Sequence, residues 1–392
     1  MAYTVLARRY RSNSFGQVVG QEPIAQTLQN AISQNKIHHA YLFTGTRGVG
    51  KTSMARLFAR ALNAPLTIDD CPESPNADEY PDKAVQDRMA EAIMRGDDLN
   101  VIEIDGASNN SVDQARQLIA NAGLAPTGNA RYKVYIIDEV HMLSTAAFNA
   151  LLKTMEEPPS HVKFILCTTE SHKVPATIQS RCQRFDFRNI ATSAIAGHLA
   201  DVLKQEEIKA DEEVVWQVAR LGNGSMRDAL SLLDRLIATG EQPLTPEILE
   251  QMLGLPPQQR VVQLVDAMAD GQIGNTLELT AAMLNGGIAQ DQLLEVLIEH
   301  FRQLMLIAAC GPQSELVELS DDARSTASEQ AKRFDAAGLV HMIALCENLQ
   351  RFSRDSANPR ALLDAAMVRL AMAEKMADVA ALLAGEANVK KN

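Results

Sequence analysis

Residues 45–52 read GTRGVGKT and match the pattern G-x-x-x-x-G-K-[ST] in full. The apolar run AYLFT (40–44) precedes them and a helically patterned segment from Lys51 follows, which is the strand–loop–helix setting this pattern requires. Glycines at 45, 48 and 50 let backbone N–H groups wrap a phosphate, and the N-terminus of the next helix adds its dipole. Lys51 reaches the β and γ phosphates and Thr52 offers a hydroxyl to Mg²⁺. Gly45, Thr46, Arg47, Gly48, Val49, Gly50, Lys51, Thr52 and Ser53 are therefore the expected nucleotide cradle. The alternative is a plain glycine turn between strand and helix, and the complete motif in this context counts against it.

Outward from the loop, short β-branched runs alternate with helical patterns over the first 190 residues: AYLFTG, LNVIEID, KVYIIDEV and VKFILCTT. Strands alternating with helices imply a parallel sheet covered on both faces, an α/β fold. In the helix that starts at Lys51, residues Met54, Leu57, Phe58, Ala61 and Leu62 recur at helical spacing and supply one apolar face for the sheet. Pro158 and Pro159 stop the helix STAAFNALLKTMEE before the next strand.

VYIIDEVH ends four apolar residues in Asp138 and Glu139, placing two carboxylates at the C-terminal end of a buried strand. Ligands of open α/β sheets bind at that edge. Asp138 is then expected in the Mg²⁺ shell, and Glu139 is expected to polarise a water, which points to hydrolysis. Alone, an apolar strand ending in Asp-Glu is ordinary; the phosphate loop gives it meaning. The strand KFILCTTE ends in Thr168-Thr169, where a hydroxyl could touch the γ-phosphate or the water. Arg227, in GNGSMRDALSLLD (222–234), falls in the first turn of a helix after a glycine-rich turn. Its guanidinium could reach the γ-phosphate, or pair with Asp228 or Asp234 at the surface.

From about Ala191 the strand signals vanish and the chain becomes helical. Thr245-Pro246 reads as an N-cap followed by proline at the first helical position, within a linker TGEQPLTPE. Leu293, Leu294, Leu297, Ile298 and Phe301 form one apolar stripe, which suits a core face or a subunit interface. The expected organisation is a nucleotide-binding domain over 1–190, a small all-helical domain over 191–242, an all-helical domain over 243–382, and a frayed tail over 383–392. Residues 64–82, APLTIDDCPESPNADEYPD, carry four prolines, six acidic residues and no basic one, and read as an exposed insertion.

The 392 residues have a net charge of −12, are 46% hydrophobic and only 4% aromatic. That balance leans toward helical packing and argues against a chain that coats nucleic acid by bulk charge. The five cysteines lack CxxC spacing, so neither a disulfide framework nor a zinc site is indicated. MAYTVLARRYRSNSF offers no apolar signal core, and no run approaches the ~18 apolar residues of a membrane span. A soluble, cytoplasmic protein is expected, without a membrane partner.

Taken in order, VLARRYRSNSFGQVVGQE, HHAYLFTGTRGVGKTS, IEIDGAS, KVYIIDEVHMLS, FNALLKTMEEPP, SRC and GSMRDALSLLD resemble the AAA+ clamp-loader ATPases, most closely the gamma/tau family of bacterial DNA polymerase III. The resemblance covers about residues 1–370. It implies an AAA+ nucleotide domain, a helical lid, and a helical collar through which loader subunits assemble. It further implies use of ATP and Mg²⁺ to open a sliding clamp and place it on primer-template DNA. The implied partners are delta, delta-prime and further copies of the chain itself.

By this resemblance Arg181 in SRC is an arginine finger directed at the ATP of a neighbouring subunit; without it, Arg181 reads equally as an ion-paired surface residue. Thr169 matches the sensor-1 position and Arg227 the sensor-2 position, while Val18 and Val19 match the segment near the adenine, with Arg11 close by. Two departures stand out. Family members usually carry four zinc-binding cysteines in the insertion, whereas here only Cys71 remains, so no zinc is expected. The chain also ends soon after the expected collar, as a short gamma-like form or a piece of a longer tau-like protein would. A branch-migration motor or a replication factor C-like subunit shares the phosphate loop, but the helical third segment speaks against the motor. A non-hydrolysing loader scaffold is disfavoured by the intact Lys51, Thr52, Asp138 and Glu139.

Overall fold

The computed structural model describes residues 4–64, 83–108, 111, 117, 120–128, 130–314, 316–353 and 356–372. The acidic stretch 65–82 and the tail 383–392 lie outside the described residues. The chain forms two compact units, one of Met1–Val202 with Val218–Asp234, the other of Leu203–Gln217 with Arg235–Asn392.

The first unit is built on a parallel sheet of β1 (Ala40–Thr44), β2 (Val101–Asp105), β3 (Lys133–Asp138), β4 (Val162–Thr168) and β5 (Gln183–Asp186), in the order β2-β3-β4-β1-β5. Every residue of β1 and β4 is buried, as a strand covered on both faces demands. The two-residue period sends their side chains to opposite sides. Tyr41, Phe43, Ile165 and Cys167 pack with Met54, Leu57 and Phe58 of the helix Lys51–Asn63. Leu42, Phe164 and Leu166 pack with Phe148, Leu151 and Met155 of the helix Thr145–Glu156. That second helix starts where the Ser144 hydroxyl accepts from the Ala147 N–H (3.2 Å), and it ends just before Pro158. The expected apolar face of the helix at 51–63 is buried throughout.

After β1 the chain crosses to the far edge of the sheet and returns through β3 and β4 to the side of β1. The loop after β1 thus leaves the sheet where strand order reverses, the usual place for a ligand in such folds.

The segment 191–242 holds helices Thr192–Gln205, Glu212–Leu221 and Met226–Ile237. Its residues divide between the two compact units. The second unit continues through helices Pro246–Leu253, Gln258–Ala269, Ile273–Asn285, Gln290–Cys310, Asp321–Ala331, Ala336–Ser353 and Pro359–Ala371. Thr245 is the N-cap residue of the first, with proline in its opening turn, as the sequence predicts. The stripe at 293–301 proves to be core: Leu293, Leu294, Leu297 and Phe301 are fully buried against Leu339, Met342 and Leu363 of the same chain, with Ile298 half-buried at the margin. A subunit interface on that stripe is ruled out by this burial. Among the described residues no helix is long and apolar enough to cross a membrane.

Candidate active site

The phosphate loop is shaped by glycines that no other residue could replace without strain. Gly50 is the N-cap of the helix Lys51–Asn63 at φ 98°, in the left-handed region, with open space where a side chain would stand. Gly48 lies at φ 79°, and a Cβ added there would sit 1.8 Å from Ser225 Oγ. Gly48→Ala is expected to destabilise the first unit by more than the ~1–2 kcal/mol of a left-handed L-residue, because the clash adds to the strain. Urea unfolding would measure it; an unchanged midpoint would contradict the close approach of the Ser225 turn.

Lys51 is buried, and its Nζ donates to the carbonyls of Gly45 (2.8 Å) and Thr46 (2.7 Å). An ammonium carries three donors, so one remains for an incoming oxygen. Burial pushes the Lys51 ammonium below its ordinary range, opposed by Cys167, Glu139 and Asp138. An anion at the loop would offset that cost of burial. The same burial pushes the Cys167 thiol well up, so Cys167 is packing and not a nucleophile.

Thr52 Oγ1 donates to Asp138 Oδ2 at 2.7 Å, which ties the loop helix to the end of β3. Glu139 follows with φ 45°, a left-handed conformation that is uncommon for a residue with a side chain and costs of order 1–3 kcal/mol. Its N–H donates to Asp138 Oδ1 (3.0 Å), and its Oε2 accepts from Thr169 Oγ1 (3.1 Å). Of the two threonines ending the strand, Thr169 therefore faces the carboxylate, while Thr168 is fully buried and bonds to His141 Nδ1 (3.0 Å).

The Arg227 N–H reaches the Gly48 carbonyl (3.4 Å), which sets the first turn of its helix on the phosphate loop. Its side chain is exposed and makes no ion pair with Asp228 or Asp234 among the described residues. Val18 caps the 3-10 turn Phe15–Gln17 and packs on the core, and Val19 is half-buried beside it in sequence. Arg11 is half-buried; burial and then the Arg56 charge hold its guanidinium below the ordinary range, with smaller effects from Arg227 and Arg8. Arg47 and Thr46 are exposed at the loop tip and Ser53 is half-buried.

Arg181 is not gathered into this group by any hydrogen bond. It follows the short helix Ala176–Gln179, and its guanidinium donates to Glu156 Oε1 and to the Thr177 carbonyl, both at 2.5 Å.

Several participants escaped sequence reasoning. The Thr46 hydroxyl donates to Asn189 Oδ1 (2.6 Å), and Thr44 Oγ1 bonds to Asp186, so the loop is fastened to the chain that leaves β5. Gln21 grips the same segment through Arg188, giving to its carbonyl (2.6 Å) and accepting from its N–H (3.3 Å). No local signal marks these pairs, because each spans more than a hundred residues. His141 was visible in DEVH but carried no pattern of its own. Among the described residues no group of three or more His, Cys, Asp or Glu could hold a metal ion by itself, and Cys71 lies outside them.

Residues 20–191 match the family described as DNA polymerase III, delta subunit. Residues 194–242 match the DNA polymerase III clamp loader subunit, ATPase lid domain, and 244–384 match DNA polymerase III subunits gamma and tau domain III. The chain is 40% identical over 371 residues to the DNA polymerase III subunit tau of Bacillus subtilis, covering 94% of this chain and 63% of that one. It is 41% identical over 323 residues to the Escherichia coli subunit tau, covering 81% and 48%. With the subunit gamma of Buchnera aphidicola from Acyrthosiphon pisum it shares 39% identity over 310 residues, covering 79% and 81%. The chain thus spans roughly half to two-thirds of the tau relatives' length. Among solved structures, the Thermotoga maritima RuvB branch migration motor aligns with a TM-score of 0.45 at 15% identity over 73% of this chain and 91% of that one, too weak a likeness to build on. Three successive matches running from residue 20 to 384, together with a gamma subunit aligned over most of its own length, carry the conclusion that this chain belongs to the gamma/tau family of DNA polymerase III.

Proposed function

We propose that the chain is an ATP-hydrolysing motor subunit of a bacterial clamp loader. The observation that carries this reading is the convergence of Lys51, Thr52, Asp138, Glu139 and Thr169 at the carboxyl edge of one sheet, with Thr52 and Asp138 already joined and Thr169 bonded to Glu139.

The residues suit ATP and Mg²⁺. Loop N–H groups and Lys51 suit the phosphates, and the paired Thr52 hydroxyl and Asp138 carboxylate suit a hard cation that takes oxygen ligands. When bound, the metal supplies charge neutralisation between the phosphates. Glu139 would take the proton of the attacking water, Thr169 would hold that carboxylate and contact the γ-phosphate, and Arg227 would sense the γ-phosphate from the helix resting on Gly48. Val18, Val19 and Arg11 would border the adenine side. Arg181 would serve the site of a neighbouring subunit.

On this reading residues 1–190 form the motor domain, 191–242 the lid and 243–382 the collar. The partners are delta, delta-prime, further copies of the chain, the sliding clamp and primer-template DNA, all in the cytoplasm. The test is ATP turnover by the chain alone and within a reconstituted loader with clamp and primed DNA. Stimulation by clamp and DNA together is expected; a chain without turnover in either setting is a scaffold, and turnover indifferent to the clamp overturns the loader reading.

Two further expectations belong here. Primer-template affinity should appear only with ATP and partner subunits and should fall with salt, since the chain's −12 charge disfavours DNA while a ring of subunits can line its inside with basic groups. Tight ATP-independent binding by the single chain, read by fluorescence anisotropy, would count against this. We also propose that the chain holds no structural zinc, because one cysteine in the insertion cannot supply four ligands. Elemental analysis of protein purified without chelator should find well under one zinc per chain.

A further inference from the structure

His141 occupies a position that the ATPase reading leaves unused. Its side chain is only 6% exposed, in the 3-10 turn Val140–Met142 that leaves β3 right after the strained Glu139. Nδ1 lies 3.0 Å from Thr168 Oγ1 and 3.4 Å from Glu139 Oε2. Nε2 lies 3.3 Å from Glu170 Oε1. Thr168 Oγ1 in turn accepts from the Glu170 N–H (3.0 Å), and Glu139 Oε2 also accepts from Thr169 Oγ1. One imidazole therefore lies against the carboxylate that follows β3 and against Thr168 and Glu170 at the end of β4, while Thr169 between them bonds to that same carboxylate.

We propose that His141 is a positioning residue for Glu139: its ring couples that carboxylate to Thr168 and Glu170, so that the orientation of Glu139 follows the end of the strand bearing Thr169. The inference rests on the ATPase reading above. A buried ring between two carboxylates has few ways to move, and it has polar partners on both edges. With Nδ1–H donating, the ring serves Thr168 Oγ1 and Glu139 Oε2; with Nε2–H donating, it serves Glu170; the imidazolium serves both edges at once. Glu139 has Thr169 on one side and this ring on the other, which limits the rotamers its side chain can adopt. A phosphate contact that shifts Thr169 would be felt by Glu139 directly and again through Thr168 and His141. Packing alone would ask only for a ring of this size, and it would not select a group with hydrogen-bonding atoms on both edges.

The consequence concerns the rate of the chemical step and not nucleotide binding. Misplacing a catalytic group by about 1 Å costs up to roughly 10²-fold in rate. His141→Ala in the full chain should thus lower kcat about 10- to 100-fold while leaving KM for ATP within about threefold. His141→Asn keeps a hydrogen-bonding atom near the Nδ1 position and should recover part of kcat. If His141 served folding alone, the Asn variant would track the melting temperature, and KM would move with kcat.

A second measurement needs no nucleotide. In protein with ¹³C-labelled histidine, the His141 ring resonance is assigned by its loss in His141→Asn. It should shift in Glu139→Gln and again in Glu170→Gln, while the His198 resonance stays in place. Equal kcat for wild type and His141→Ala, with the wild type active, overturns this inference alone. So does a ring resonance blind to both Gln variants. Absence of turnover in the wild type, alone and in the assembled loader, overturns the ATPase reading and this inference with it.

Discussion

Glu139→Gln is expected to bind ATP as the wild-type chain does and to hydrolyse it at least ~10²-fold more slowly, whereas Lys51→Ala is expected to lose ATP binding itself. The two losses differ because the two residues act on different parts of the reaction. Lys51 is held by the Gly45 and Thr46 carbonyls with one donor left over, so its removal takes away the charge that meets the phosphates and leaves two loop carbonyls without their donor. The Gln amide oxygen at 139 can still accept from Thr169 Oγ1, and the left-handed backbone there is unchanged by the substitution, so the site keeps its shape. What the amide cannot do is take a proton from water. Calorimetric titration with ATP separates binding from turnover measured by phosphate release. Wild-type turnover by Glu139→Gln would remove Glu139 from its assigned role, and tight binding by Lys51→Ala would remove Lys51 from its own.

The parts of this site that could be read in advance are those set by short-range chemistry. The phosphate loop is a contiguous pattern, the strand ending in Asp138-Glu139 is an apolar run followed by charge, and the helix at 51–63 shows its buried face as a 3.6-residue period. What the chain does at longer range stayed hidden. Thr46 finds Asn189, and Gly48 leaves room for Ser225, because the strand order brings distant turns to one edge of the sheet; nothing near residue 46 or 48 names the partner. Thr168 and Thr169 are alike in sequence and differ only in which side of the sheet edge they face, a matter of pleat that separates a buried partner of His141 from a partner of Glu139. The stripe at 293–301 was legible as an apolar helix face, and only the neighbouring helices decided that it is core. The helices in 191–242 were legible as helices, yet their division between the two compact units depends on packing partners that periodicity does not specify.

Arg181→Ala is expected to leave the nucleotide affinity of the single chain nearly unchanged and to cut clamp-stimulated hydrolysis in the assembled loader by about 10³-fold or more. Within the chain Arg181 touches Glu156, Thr177 and Ser180, none of them part of the phosphate loop, and Glu156 is half exposed. A pair of that kind contributes at most about 1 kcal/mol to stability, so its loss should not unfold the chain. The phosphate loop already has Lys51 from its own helix and Arg227 on the helix resting on Gly48; for a further guanidinium just ahead of the start of β5, held by Glu156, we propose a contribution to another subunit's site. Glu156 then serves to hold the side chain in place, and Glu156→Gln should cost far less than Arg181→Ala. Mixing exposes the geometry. Loaders assembled from Arg181→Ala chains and Lys51→Ala chains should regain activity at the interfaces where an intact arginine faces an intact phosphate loop, in proportion to how often such interfaces form. If no mixture regains activity, or if Arg181→Ala abolishes ATP binding by the single chain, the arginine acts within its own subunit or supports the fold, and its assignment to a neighbouring site is wrong.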